Sequence, residues 1–265
     1  TDVVVSGLAS GASFNGVVVV KPTYGTVSRY GVVAMASSTD TIGTFATNAA
    51  DAEQVMAIMA GQDKNDMTTL ADFFVVQANA KPKQKIGVVK EFMTDDVDAD
   101  VRAQVQLYVD GLKAAGHEIE EVSIPMIKYA LAMYYIIVPA EISSNLARYD
   151  GIRYGHSADG VATLAELYGR TRDEGFMTEN KRRIMIGSYV LSSGFFDAYY
   201  QQAQKARTLL INEFNELFKT YDVLVGPVSP TPAFKLGENT SDPVKMYLAD
   251  IMTVSPSLAG LPSLS

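Results

Sequence analysis

Between residues 86 and 124 the hydrophobic period of the chain changes twice, and that change limits the fold more than any other feature. Ile86–Val89 is a short unbroken apolar run, the mark of a buried strand. Asp98 or Asp100 then stands where a helix N-cap is expected, followed by Val101, Val105, Tyr108, Val109 and Leu112 on one helical face. Gly116 is placed to end that helix, and Glu118–Ile124 alternates polar and apolar residues before Pro125. A strand, a helix and a second strand make a crossover, so the two strands run parallel. The chain is therefore predicted to be α/β, with one large mixed sheet.

The remaining segments fit this class. Residues 1 to 60 are rich in Gly, Ala, Ser, Thr and Val, which suits packed strands and loops near a buried site. Thr47–Met59 reads as a helix started near Asn48 or Asp51, with Ala52, Val55, Met56 and Met59 on one side and Gly61 at its end. Gln62–Lys85 is polar with one apolar island and reads as a surface excursion. Tyr129–Ala147 is predicted to be a buried helix. Ile184–Tyr200 and Gln201–Tyr221 also read as helices, the second carrying Ala206, Leu210, Phe214, Leu217 and Phe218 on one stripe. Asp222–Gly226 is predicted to be a fully buried strand, closed by Pro227, Pro230 and Pro232.

Composition excludes several chemistries. With no Cys among 265 residues there is no disulfide framework, thiolate cluster or Cys nucleophile, and the two histidines, His117 and His156, stand apart from any ligand set. No metal is expected. The aspartates at 95, 96, 98 and 100 do not form a calcium loop, because Val101 and Leu107 stand where Gly and Glu are required. The stretch SGLASGASFNG lacks both the Gly-Lys-Ser/Thr ending of a phosphate loop and the spacing of a dinucleotide fingerprint. A net charge of −8 argues against direct binding of nucleic acid, which needs clustered Lys and Arg. The longest apolar stretch, Tyr129–Ala140, falls short of the roughly 20 residues that span a bilayer, so no membrane contact and a cytoplasmic location are expected. Length alone allows one large domain or two small ones. The sequence opens inside an apolar run and stops at LAGLPSLS, and both ends read as cut.

Four strings carry the reading further: KPTYGTVSRYGVVAMASSTDTIG (21–43), AEISSNLARYDGIRYG (140–155), EGFMTENKRRIMIGSYVLSSGFFDAYYQQAQKARTLL (174–210) and YDVLVGPVSPTPAFKLGE (221–238). Together they resemble the A-subunit family of glutamyl-tRNA(Gln) and aspartyl-tRNA(Asn) amidotransferases, part of the amidase-signature family. The likeness runs from Val17 to Ser265. It implies one amidase domain over 1–265, incomplete at both ends, with a large mixed sheet covered by helices on both faces. The implied reaction is hydrolysis of glutamine to glutamate and ammonia. The ammonia would pass to a B subunit that binds the tRNA, with a C subunit completing the complex. ATP and Mg would be used by that partner, and this chain would bind no cofactor.

In the family a Ser nucleophile is activated by a second Ser and a Lys. A hydroxyl is a weak nucleophile until a base takes its proton, and a desolvated neutral Lys can be that base. Backbone N–H groups of a Gly-Gly turn then stabilise the oxyanion. Aligned from Asp2, the nucleophile position falls on Ser6; aligned backward from Phe14-Asn15-Gly16, it falls on Gly7. The family's Lys and second Ser would lie upstream of Thr1. Val3, Val4 and Val5 stand where the family has Thr-Gly-Gly, Val19 replaces a Gly and Thr44 a Pro. β-Branched residues fit a Gly-Gly turn poorly, so the nucleophile segment is expected not to work as written. That leaves three readings: a glutaminase subunit with this segment disrupted, an inactive scaffold, or a hydrolase of another small amide. The resemblance assigns the substrate's α-carboxylate to Tyr135, with Tyr134 as its alternate, and Arg183, and the α-ammonium to Asp250, a charge pattern selective for a free amino acid. On their own these residues would read as a core tyrosine, a surface ion pair and a helix cap.

Overall fold

A computed structural model of the chain describes residues 8–71, 81–236 and 249–265, with side chains from residue 11 onward. In chain order its elements are α1 (Leu8–Asn15), β1 (Val18–Lys21), β2 (Thr44–Ala46), α2 (Ala49–Met59), β3 (Lys85–Val89), α3 (Ala99–Ala114) and β4 (Glu118–Val122). Then follow α4 (Ala130–Leu146), α5 (Leu164–Gly175), α6 (Thr178–Val190), α7 (Gln201–Leu217), β5 (Val223–Val225), α8 (Ile251–Leu258) and β6 (Ser263–Leu264). They sort into two units, the first made of Thr1–Gly31, Thr41–Leu131 and Arg207–Ser265, the second of Val32–Asp40 and Ala132–Ala206.

The first unit contains the predicted crossover. β3 pairs in parallel with β4, Ile86 opposite Ile119 and Val89 opposite Val122. α3 starts as its capping aspartate predicts: the Asp98 side chain accepts from the Asp100 N–H at 2.9 Å, which satisfies one of the helix's orphan donors. It ends before Gly116, whose φ of 92° places it in the left-handed region that favours glycine. β5 joins β3 on its other side, also parallel, giving the order β4-β3-β5. Among the described residues this sheet is separate from a second one, order β2-β1-β6, which is antiparallel. Among the described residues, the mixed sheet expected from the sequence is seen as two three-stranded sheets, one parallel and one antiparallel. β6 has two residues and β5 three, with Pro227 closing the latter. β5 is also less buried than its apolar sequence predicts: Val223 is 42% exposed because it lies on a sheet edge.

α2 is capped by Asn48, which accepts from the Asp51 N–H at 2.9 Å. Its buried residues are Ala52 and Met56, and Met56 forms a core with Val27 and Ile42 against which Val20 and Met59 pack. The stretch after it runs over the surface as far as residue 71, as predicted, and is tied down by side chains. The Asp66 carboxylate accepts from the N–H of Arg29 at 2.8 Å and from the N–H and hydroxyl of Thr68 at 3.0 and 2.7 Å. Ser28 donates to Asp63 at 2.7 Å, and Thr69 is buried. These bonds tie residues 63–69 onto residues 24–30. The rest of the predicted excursion, 72–80, lies outside the described residues.

In the second unit α4 buries Met133, Ile137, Val138, Ile142 and Leu146. Ala36, Val138, Ile142 and Leu146 form the core, with Tyr134, Tyr149, Phe176 and Ile184 packed against it. Residues 35–40 are pinned by side chains: Asp40 accepts from the N–H groups of Met35 and Ala36, and Glu141 on α4 accepts from Ser38 N–H at 2.9 Å. The helix expected over 184–200 begins earlier, at Thr178, and stops at Val190. Ser192 explains the stop, since its hydroxyl bonds the Tyr189 carbonyl at 2.7 Å, and Gly194 at φ 88° turns the chain away. A single π turn, Phe196–Tyr200, precedes α7.

Candidate functional site

Two helices of the second unit carry the candidate residues. α4 presents Tyr134 and Tyr135, whose rings meet edge to face at 5.2 Å and 82°. α6 presents Glu179, Arg182 and Arg183, at positions i, i+3 and i+4 of its first two turns. The helices approach unusually closely where Gly187 faces Pro139. A Cβ at Gly187 would lie 1.9 Å from the Pro139 carbonyl oxygen, so only glycine fits at that crossing. Pro139 is buried and has no N–H to offer the Tyr135 carbonyl one turn earlier, which interrupts the α4 ladder beside the two tyrosines.

Arg183 is not the exposed ion pair that a helix-surface reading would give it. Its side chain is 18% exposed, and its Nε donates to the Glu179 carboxylate at 2.9 Å. Burial acts against its charge, but Glu179 and a hydrogen bond with the Tyr134 hydroxyl more than offset this and hold its pKa above the usual arginine value. Glu179 also pairs with Arg182. Two guanidinium groups against one carboxylate leave this face of α6 positive, and a planar guanidinium is suited to grip a carboxylate.

The structure therefore brings Arg183 together with Tyr134 and sets the Tyr135 ring against that of Tyr134. Asp250 lies in the first unit at the N-cap position of α8. Its carbonyl accepts from Thr253 and Val254 N–H at 3.0 and 3.1 Å, but its side chain makes no capping bond to the helix. The simple helix-cap explanation thus does not account for its carboxylate. Ser6 lies outside the described residues. Val19 and Thr44, the two departures that fall among the described residues, are buried in β1 and β2, and Thr44 donates to the Ala52 carbonyl at 3.2 Å.

Two features escaped the sequence reading. Glu179 was visible only as an acidic residue three and four places before the arginine pair. Lys21, at the end of β1, is 7% exposed, donates to the Leu261 carbonyl at 2.6 Å, and has its pKa lowered to about 8 by burial. Among the described residues no group of three or more His, Asp or Glu could hold a metal, and no helix is long and apolar enough to cross a membrane. His156 instead pairs with Glu174 at 2.9 Å, and His117 Nδ1 accepts from the Gln84 N–H at 3.1 Å.

The amidase family profile matches residues 10–265, which takes in the described elements of both units from within α1 to β6. The chain belongs to the amidase family. The match begins at residue 10, after Ser6 and within the Val3–Gly11 segment that departs from the resemblance, so most of that segment falls before it. Among curated relatives, the chain is 51% identical over 259 residues to the A subunit of the glutamyl-tRNA(Gln) amidotransferase of Koribacter versatilis, covering 96% of this chain and 54% of that protein. It is 51% identical over 261 residues to the same-named protein of Nostoc punctiforme, and 47% over 258 residues to that of Lactiplantibacillus plantarum, again over 96% of this chain and 54% or 53% of theirs. The chain thus spans about half the length of the curated relatives it matches. Among solved structures, the glutamyl-tRNA(Gln) amidotransferase A subunit of Thermotoga maritima superposes with a TM-score of 0.74 at 38% identity, over 96% of this chain and 51% of that one. The allophanate hydrolase of Kluyveromyces lactis, at 21% identity and a TM-score of 0.79 over 99% of this chain and 40% of that one, shares the fold.

Proposed function

We propose that this chain belongs to the glutamine-hydrolysing subunit of a tRNA-dependent amidotransferase and that its described part supplies glutamine recognition. One observation carries the reading: Arg183 is shielded, charged and held by Glu179 and Tyr134 in a family member whose half-identical relatives are named as such subunits. In this proposal Arg183, with Tyr134 or Tyr135, holds the α-carboxylate of glutamine, and Asp250 holds its α-ammonium. A neutral amide would leave both charges unmatched, which disfavours bare amides as substrates.

The reaction proposed for the whole protein follows from the family's chemistry. A Ser hydroxyl, at the position of Ser6, attacks the side-chain amide carbon after a neighbouring base takes its proton, ammonia leaves, and water then releases glutamate from the acyl enzyme. The ammonia would reach B and C subunits, with tRNA bound through B and ATP and Mg used there; no cofactor is assigned to this chain. Such a complex would work in the cytoplasm, alongside translation. With Val3–Val5 in place of the glycine turn, the chain itself is proposed to bind glutamine without turning it over.

Binding is accordingly the quantity to measure. Calorimetry on the full chain should show L-glutamine binding more tightly than 4-aminobutanamide, which lacks the α-carboxylate, and than 4-carbamoylbutanoate, which lacks the ammonium. Arg183→Ala should cost about 10- to 100-fold for glutamine and little for 4-aminobutanamide. Equal affinity of the wild-type chain for all three amides would overturn the proposal in favour of a hydrolase of another small amide or a scaffold.

A further inference from the structure

The geometry points to Glu179 as a positioning residue for the carboxylate of the substrate, an inference that rests on the glutamine reading above. Its bond to Arg183 is made through Nε, at 2.9 Å. A guanidinium offers a carboxylate two edges, one using Nε with an Nη and one using both Nη nitrogens. With Nε held by Glu179, only the Nη edge remains for an incoming carboxylate, so Glu179 sets which way the fork faces. The Tyr134 hydroxyl at Arg183 limits the side chain from α4. Packing of Gly187 on Pro139, one helical turn beyond Arg183, fixes the distance between the two helices.

A carboxylate beside a carboxylate-binding arginine would ordinarily compete with the ligand. Here the charge of Glu179 is shared, because Arg182 pairs with it as well, so the trio stays net positive. Glu179 is also more exposed than Arg183, 42% against 18%, so its own charge is screened while the guanidinium it orients is shielded. Position and charge therefore separate: Glu179 supplies direction, and the arginine pair supplies attraction.

The test compares Glu179→Ala with Glu179→Gln on the full chain, using L-glutamine and 4-aminobutanamide as probes. Ala removes the acceptor, whereas Gln keeps an Oε1 that can still receive the Nε proton. Glu179→Ala should weaken glutamine binding about tenfold and leave 4-aminobutanamide unchanged, and Glu179→Gln should recover most of the loss. The Arg183 Nε–H resonance should broaden or exchange faster in the Ala variant and stay sharp in the Gln variant. If both variants bind glutamine as well as or better than wild type, Glu179 is a competitor and the inference is wrong. An equal loss for both ligands would mark a merely structural residue and overturn it too. A wild-type chain that does not distinguish the two ligands refutes the glutamine reading itself, and the role of Glu179 falls with it.

Discussion

At the scale of single residues, the buried charges show how differently a carboxylate and an amine are treated. Burial works against the Asp66 carboxylate, but bonds from Thr68 and Arg29 outweigh it and hold its pKa at about 2. Lys21 has carbonyl partners and, among the described residues, no carboxylate to balance burial, so its pKa falls from 10.5 to about 8. Unfolding lets Lys21 take up a proton between those two values. Its burial thus penalises the fold most below pH 8, and the penalty fades as pH rises toward 10.5. Lys21→Met removes this titration. In urea denaturation its stability relative to the parent should therefore decline by about 2–3 kcal/mol between pH 7 and pH 10; a difference that stays flat with pH would show that Lys21 keeps its ordinary pKa. Neither residue could have been singled out from the sequence, because the burial of Lys21 and the Arg29 bond to Asp66 depend on partners far along the chain, whereas only the Thr68 bonds to Asp66 are local. The same holds for the choice between Tyr134 and Tyr135: adjacent tyrosines on one helix differ by a rotation that the sequence does not contain.

At the scale of elements, the sequence was most informative where period and caps agree. Asp98, the apolar face of α3 and Gly116 define the crossover helix, and β3 and β4 lie where their patterns place them. Boundaries failed where a side chain competes with the helix for a carbonyl, as at Ser192, and sheet membership failed because pairing partners are not local. Contact between α4 and α6 belongs to this scale. Gly187→Ala drives a methyl group into the carbonyl of the buried Pro139 and onto the Ser143 side chain, so the helices must separate. The expected cost is about 2–3 kcal/mol of stability, read by urea denaturation, together with loss of glutamine selectivity as Arg183 moves away from Tyr134. Unchanged stability would mean that the crossing is looser than the structure shows.

At the scale of the whole chain, the first unit is held together by pairings between distant segments. Asp222 accepts from the Lys85 N–H across 137 residues, and Lys21 reaches the Leu261 carbonyl across 240. Deleting residues 259–265 removes β6 together with the Leu261 carbonyl, acceptor of the shorter of the two bonds of Lys21. The shortened chain should unfold at lower urea, and Lys21→Met should lose its pH-dependent effect in that background, since the amine regains water; persistence of that effect would place the cause of the Lys21 shift elsewhere. This dependence has a consequence for how the protein is made. A ribosome adds roughly 5–20 residues per second, so β1 waits roughly 10–50 s between its own emergence and that of the strand that covers its second edge. During that interval the run Val17–Val20 is an unpaired apolar edge, the kind of segment that seeds association between nascent chains. Holding that edge apart until synthesis reaches Leu264 is then a task for chaperones.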